Sequence, residues 1–130
     1  MPATDISPSS FDDRTTTVAE LRELIARFVA ERDWEQFHSP KNLAMALAIE
    51  AAELMEHFQW IDVPESRQVV DDPQRLQAIG EELADVVAYT LALANALKLD
   101  VSAAVGRKMV KNAAKYPAAE FRGKFGPKHG

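Results

Sequence analysis

The chain of 130 residues predicts an all-α protein, a subunit of four helices, on three observations. Apolar residues in the long middle recur at spacings of three and four rather than alternating. Ser, Thr, Asp and Pro stand where helices would begin. Two acid pairs, Glu50-Ala51-Ala52-Glu53 and Glu82-Leu83-Ala84-Asp85, repeat one spacing inside helical runs.

Residues 1–16 mix Pro, Ser, Thr and Asp without periodicity and read as a flexible leader. Val18, Leu21, Leu24, Ile25, Phe28 and Val29 then mark a first amphipathic helix, capped by Thr17 or a neighbouring Thr and ending near Arg32 or Asp33. The link Trp34-Glu35-Gln36-Phe37-His38-Ser39 is unusual for a surface loop, since it gathers two large aromatics and a histidine. Ser39-Pro40 supplies an N-cap and first position for a second helix running to about Trp60. Pro64 and Pro73 bracket a connection with room for a short helical turn. A third helix follows from about Gln74 to Lys98, and Asp100 caps a fourth that ends near Tyr116, where Pro117 stops it. One domain is therefore expected over 17–117, with 118–130 as a loose basic tail.

Composition narrows the function classes. A formal net charge of -5 and a pI near 5.2 disfavour a protein that grips nucleic acid, because phosphate neutralisation needs clustered Lys and Arg. Without cysteine there is neither a disulfide framework nor a thiolate zinc site, which suits a cytoplasmic protein. The N-terminus has no basic region followed by an apolar stretch, so no secretory signal is read there. The most apolar run, Val86 to Leu97, falls short of the ~20 residues of a membrane span and is interrupted by Asn95. That third helix is apolar almost all round, so a homo-oligomer is expected, with subunit contacts along the second and third helices.

The acids break the apolar pattern they sit in. At ~100° per residue Glu50 points into the sector of Leu43, Leu47 and Leu54, with Glu53 roughly 60° to one side. Glu82 likewise lies among Ile79, Val86, Tyr89 and Leu93, and Asp85 is displaced in the same sense. One such pair alone is commonly a solvated surface feature; two matched pairs on apolar faces point to a site. Helices at ~8 to 10 Å can bring all four carboxylates together, and hard oxygen ligands without histidine or thiolate suit Mg²⁺ or Mn²⁺. A di-iron bundle wants Glu-x-x-His, whereas His57 is preceded three residues earlier by Leu54. Glu56 and Glu81 fall on the outer edge.

Lys108, Asn112 and Lys115 share one face of the fourth helix, where cations and an amide suit the outer phosphates of a nucleotide or form a solvated basic face. Trp34, Phe37, Trp60 and Tyr89 offer flat surface of the kind that sandwiches a base, or serve as core and subunit-contact residues. His38 belongs with this group by proximity.

Together these segments resemble the MazG-like all-α nucleoside triphosphate pyrophosphohydrolases, in their dCTP pyrophosphatase branch. The likeness spans about residues 17 to 117. It is carried by Arg32-Asp33-Trp34-Glu35-Gln36-Phe37-His38, Pro40-Lys41-Asn42-Leu43, Glu50 through Trp60, Glu81-Glu82-Leu83-Ala84-Asp85, and Lys108 through Asn112 to Tyr116-Pro117. The resemblance implies a dimer or tetramer that hydrolyses a nucleoside triphosphate, dCTP or a related or modified pyrimidine dNTP, between its α and β phosphates in nucleotide-pool cleansing. It implies metal ligands at Glu50, Glu53, Glu82 and Asp85. Substrate contacts fall on Trp34, Glu35, Gln36, Phe37, His38, Trp60 and Tyr89, with Lys108 and Asn112 near phosphate. Some relatives have a substrate-contacting histidine in the first helix where this chain has Ile25.

The expected mechanism is metal-assisted hydrolysis in which Mg²⁺ held by the four acids neutralises the triphosphate and a carboxylate of the cluster takes the proton of water. Glu53 is a candidate base, and sequence leaves the base and ligand roles open among the four. The competing expectation is a non-catalytic helical oligomer that binds nucleotides or a partner chain through a divalent-ion clamp.

Overall fold

In a computed structural model, described here for residues 6–124, every regular element among those residues is helical. The elements are α1 (Val18–Glu31), α2 (Pro40–Glu56), α3 (Val63–Gln68), α4 (Pro73–Leu97), α5 (Val101–Lys115) and a short α6 (Ala118–Phe121). Single 3-10 turns lie at Pro8–Ser10, Glu35–Phe37 and Val69–Asp71. The chain divides into two compact units, Met1–Lys98 and Leu99–Gly130. Residues 1–5 of the expected leader and 125–130 of the expected tail lie outside the described residues.

Each long helix begins where a side-chain oxygen can serve an otherwise unbonded N–H. Thr17 and Glu20 form a reciprocal capping box at the start of α1. Ser39 accepts from the Asn42 N–H at α2, Asp72 from Gln74 and Arg75 at α4, and Asp100 from Ala103 at α5. Pro40 and Pro73 stand in the first turns of α2 and α4, where a missing N–H costs nothing.

Three stretches differ from the sequence reading, one of them the start of the expected loose tail, where α6 (Ala118–Phe121) forms. The second helix stops at Glu56 rather than near Trp60, and residues 57–60 continue as turns, because the Phe58 and Gln59 N–H groups both return to the Met55 carbonyl. The leader is also partly ordered. Asp12 accepts from the Arg14 and Thr15 N–H groups and the Thr16 hydroxyl accepts from the Asp12 N–H, a local device that needs no hydrophobic periodicity.

Within the first unit, α4 is the organising element. Its 25 residues pack most extensively on α2, then on α1 and on the turn at Val69–Asp71. The buried apolar side chains are Val29 from α1, Leu43 from α2, Val69, and Leu91, Ala92 and Ala94 from α4. A polar clamp adds to them: Arg22 Nε donates to Asn95 Oδ1 at 2.9 Å, and Asn95 Nδ2 donates to the Arg22 carbonyl at 3.1 Å. This pair fixes α1 against the C-terminal half of α4.

The second unit carries α5, whose half-buried side includes Val101, Ala104 and Asn112. Lys108 and Lys115 are exposed on that helix, with the Lys115 ammonium 5.3 Å from the centre of the Tyr116 ring.

Leu43 is 1 % exposed, the most deeply buried large side chain among the described residues. Leu43→Ala should therefore cost about 3 kcal/mol, against about 1 kcal/mol for the cap variant Thr17→Ala, as read by urea denaturation.

Candidate active site

Packing of α2 against α4 converts two sequence motifs into one cluster. Oxygens of Glu50, Glu53 and Glu82 lie within 4.8 Å of one another. Glu50 and Glu82 are half-buried because each lies on the apolar face that joins the two helices, whereas Glu53, turned to one side, is exposed. One oxygen of Glu50 and one of Glu82 are fully shielded from solvent and have no hydrogen-bond partner. Two shielded, unpartnered carboxylate oxygens facing a third carboxylate make a donor set for a hard divalent cation.

Electrostatics agree with that geometry. Desolvation first, then the neighbouring Glu53 carboxyl and the charges of Asp85 and Glu82, push the Glu50 carboxyl above the usual carboxylate range. The same happens at Glu82 through desolvation, Glu53 and Asp85, with His57 acting in the opposite direction. Asp85 thus belongs to the field of the cluster, although it is exposed and stands outside the tight trio.

Asp85 also faces a cavity. A cleft of about 320 Å³ is lined by Asp85 and Tyr89 of α4, Phe28 of α1, and Trp34 and His38 from the link after α1. Trp34 reaches it because Asp33 adopts a left-handed backbone with φ 54°, which folds the chain back so that the Trp34 N–H meets the Val29 carbonyl at 3.1 Å. The indole then meets the Phe28 ring edge-on, with centroids 5.7 Å apart, and the Arg32 guanidinium covers that same Phe28 ring at 3.6 Å. A second cavity, of about 350 Å³, is lined by Glu35, His38, Pro40, Asn95 and small residues of α1 and α4. The two share Ile25, Val29, His38 and Ala92 as a common wall.

The predicted substrate-side residues thus divide. Trp34, His38 and Tyr89 line the cleft beside Asp85, and Glu35 and His38 line the adjoining one. Gln36 is turned to its own loop, its amide donating to the Asp33 carbonyl and carboxylate. Phe37 is 60 % exposed and Trp60 86 % exposed, and neither lines either cavity. Lys108, Asn112 and Lys115 all lie on α5 in the second unit. Sequence reasoning gave no site role to Phe28, Ala92, Asn95 or His57. Only Asn95 carried a signal, as the lone amide in an otherwise apolar run.

Carboxylates from two packed helices, beside an aromatic cleft, are compatible with a divalent cation held next to a small-molecule site. A family model described as the MazG-like family matches residues 45–124. The dCTP pyrophosphatase 1 of Bos taurus is 42% identical over 120 residues, covering 92% of this chain and 70% of that protein. The dCTP pyrophosphatase 1 of Homo sapiens is 46% identical over 102 residues, covering 78% and 60%. Among solved structures, a pyrophosphatase from Archaeoglobus fulgidus DSM 4304 superposes with a TM-score of 0.73 at 38% identity, over 82% of this chain and 98% of that one. The chain belongs to the MazG-like family.

The raised carboxyls set a direction for pH. Glu50 and Glu82 release their protons at a higher pH in the folded apoprotein than in the unfolded chain, whose glutamates titrate at about pH 4.3. Stability of the apoprotein therefore falls as pH rises through that value and the raised folded values. Glu50→Gln or Glu82→Gln should melt higher than the wild-type apoprotein at about pH 7.5, with the gap closing at about pH 4.5, by differential scanning fluorimetry in chelator.

Proposed function

We propose that this protein is a nucleoside triphosphate pyrophosphohydrolase that cleaves dCTP or a related or modified pyrimidine deoxynucleotide between the α and β phosphates. The products are the monophosphate and pyrophosphate, the role one of nucleotide-pool cleansing in the cytoplasm. One observation carries the reading: the shielded, unpartnered oxygens of Glu50 and Glu82, converging with Glu53 beside the cleft that Asp85 and Tyr89 line. The named activity of the mammalian relatives supports the nucleotide, and matches over most of this chain support the transfer.

Within this reading Glu50, Glu53, Glu82 and Asp85 are the metal ligands and catalytic carboxylates, and Mg²⁺, or Mn²⁺ in its place, is the ion. A divalent ion held there supplies charge neutralisation for the triphosphate and polarises its phosphoryl oxygens. The remaining chemistry belongs to side chains. Glu53 is exposed and close to both shielded acids, so it can accept the proton of the attacking water while Glu50 and Glu82 stay committed to the cation. Asp85 links the acids to the cleft, where Trp34 and Tyr89 hold the base and His38 closes the far wall. Glu35, Gln36, Phe37 and Trp60 remain proposed substrate contacts on the strength of the resemblance. Lys108, Asn112 and Lys115 are proposed phosphate contacts on their chemistry as donors. The functional domain is taken as 17–117, flanked by leader and tail.

A homo-oligomer, dimer or tetramer, completes the proposal. Met45 and Ile49 on α2 and Leu76, Leu83 and Val87 on α4 are each between 42% and 58% exposed, and the spacings of four and seven put them in stripes. These stripes are assigned to a second copy of the chain, which would cover them.

Incubation with a panel of NTPs and dNTPs plus Mg²⁺ should release pyrophosphate, fastest from a cytosine deoxynucleotide. Orthophosphate instead would indicate a different cleavage, and no product from any base would favour a binding-only clamp. Glu50→Gln and Glu82→Gln should each lower turnover by at least about a hundredfold while circular dichroism stays helical. Leu83→Glu should shift the elution volume in size-exclusion chromatography towards a monomer; a wild-type protein already eluting as a monomer would refute the assembly.

A further inference from the structure

The leader before α1 reaches the cleft beside Asp85. Ile6 lines that cleft together with Leu24 and Phe28 of α1, Trp34 from the link, and Ala88 and Tyr89 of α4. Leu24 and Phe28 lie well inside α1, at about 10 and 16 Å along the helix axis from the Thr17 cap at 1.5 Å per residue. Ile6 precedes Thr17 in the sequence, so the leader doubles back and runs beside α1 instead of extending away from it.

Two local devices make that reversal. Nearest α1, the Asp12 carboxylate accepts from the Arg14 and Thr15 N–H groups, the Asp12 N–H donates to the Thr16 hydroxyl, and the Thr16 N–H returns to the Asp12 carbonyl at 2.9 Å. Before it, the 3-10 turn at Pro8–Ser10 closes as the Ser10 N–H meets the Ser7 carbonyl at 3.0 Å and the Phe11 N–H meets the Pro8 carbonyl at 3.2 Å. Phe11, between the two turns, is half-buried, whereas residues 7–10 are exposed. Ile6 is 45 % exposed, so the protein's own walls cover only part of it, and a flat ring held by Trp34 and Tyr89 would cover more.

We propose that Ile6 is a contact of the bound base and that the Asp12 turn is the positioning device that sets it there. The proposal rests on the reading that the base lies in the cleft beside Asp85. Among the described residues, every other wall of that cleft comes from α1, the link or α4, which the buried core and the Arg22 and Asn95 bonds hold together. Ile6 alone is carried by the leader, a stretch ordered by local hydrogen bonds. Its contribution is apolar cover for the base, which is expressed in affinity and leaves the chemistry at the acids untouched.

The test measures dCTP hydrolysis in Mg²⁺ and calorimetric binding of dCMP on the full chain. Ile6→Asp should raise KM and the dCMP Kd about tenfold, the lower end of what apolar contact in a pocket discriminates, while kcat stays within about twofold. Ile6→Leu, which keeps the apolar volume, should stay within about twofold of wild type in both KM and Kd. Ile6 lies outside the buried core, so these variants should keep the wild-type melting temperature. A merely structural defect would lower the active fraction, and with it kcat, and leave KM in place. Asp12→Ala should raise KM in the wild-type background and add nothing in Ile6→Ala, and a full additional loss there overturns the positioning role of the turn. An unchanged KM and Kd in Ile6→Asp overturns the contact, and so does a tightening, which would make Ile6 a plug of the cleft. Wild-type protein that binds dCMP but releases no pyrophosphate from dCTP overturns the catalytic reading, and the Kd values then decide on Ile6. Wild-type protein that hydrolyses dCTP without measurable dCMP binding leaves the decision to KM, and one that does neither overturns both readings.

Discussion

The arrangement depends on a like-charge contact that the fold tolerates. Glu50 and Glu82 stand on the faces through which α2 and α4 join, each with an oxygen shut off from water and from any donor. Burial of this kind opposes folding unless a proton or a cation compensates. A proton is favoured by the surroundings of both residues, which raise their carboxyls above the usual range. A cation is the compensation that the proposed function uses, and holding one needs the helices kept rigidly enough that the acids cannot separate.

That rigidity comes from the rest of the first unit. Leu43 and the Leu91, Ala92 and Ala94 segment are buried within it, and the reciprocal hydrogen bonds of Arg22 and Asn95 tie α1 to α4. The same tie leaves space between α1 and α4, and the two cavities occupy it. The link after α1 then delivers Trp34 and His38 through the left-handed turn at Asp33 and the aromatic contact with Phe28. The acid cluster and the cleft are thus consequences of a single packing arrangement around α4.

Much of this was legible in the residues. Caps at Thr17, Ser39 and Asp100 and the proline behind Ser39 mark helix starts by local hydrogen-bond chemistry, which no distant contact needs to supply. The acid pairs were legible because a carboxylate on an apolar face violates a strong pattern. The end of α2 was not, since Phe58 and Trp60 continue its composition while the backbone turns tighter. Neither was the ordered stretch around Asp12, whose bonds are local but leave no periodic trace.

By itself the sequence determined the helical class, the positions where helices begin and the identity of the paired acids, because each follows from interactions within a few residues along one chain segment. Tertiary structure alone decided that Glu50, Glu53 and Glu82 converge while Asp85 turns towards the cleft, that Trp34 and His38 enter it while Phe37 and Trp60 do not, and that Asn95 is held by Arg22. Those outcomes depend on the distance and rotation between packed helices, and no spacing within one helix encodes them.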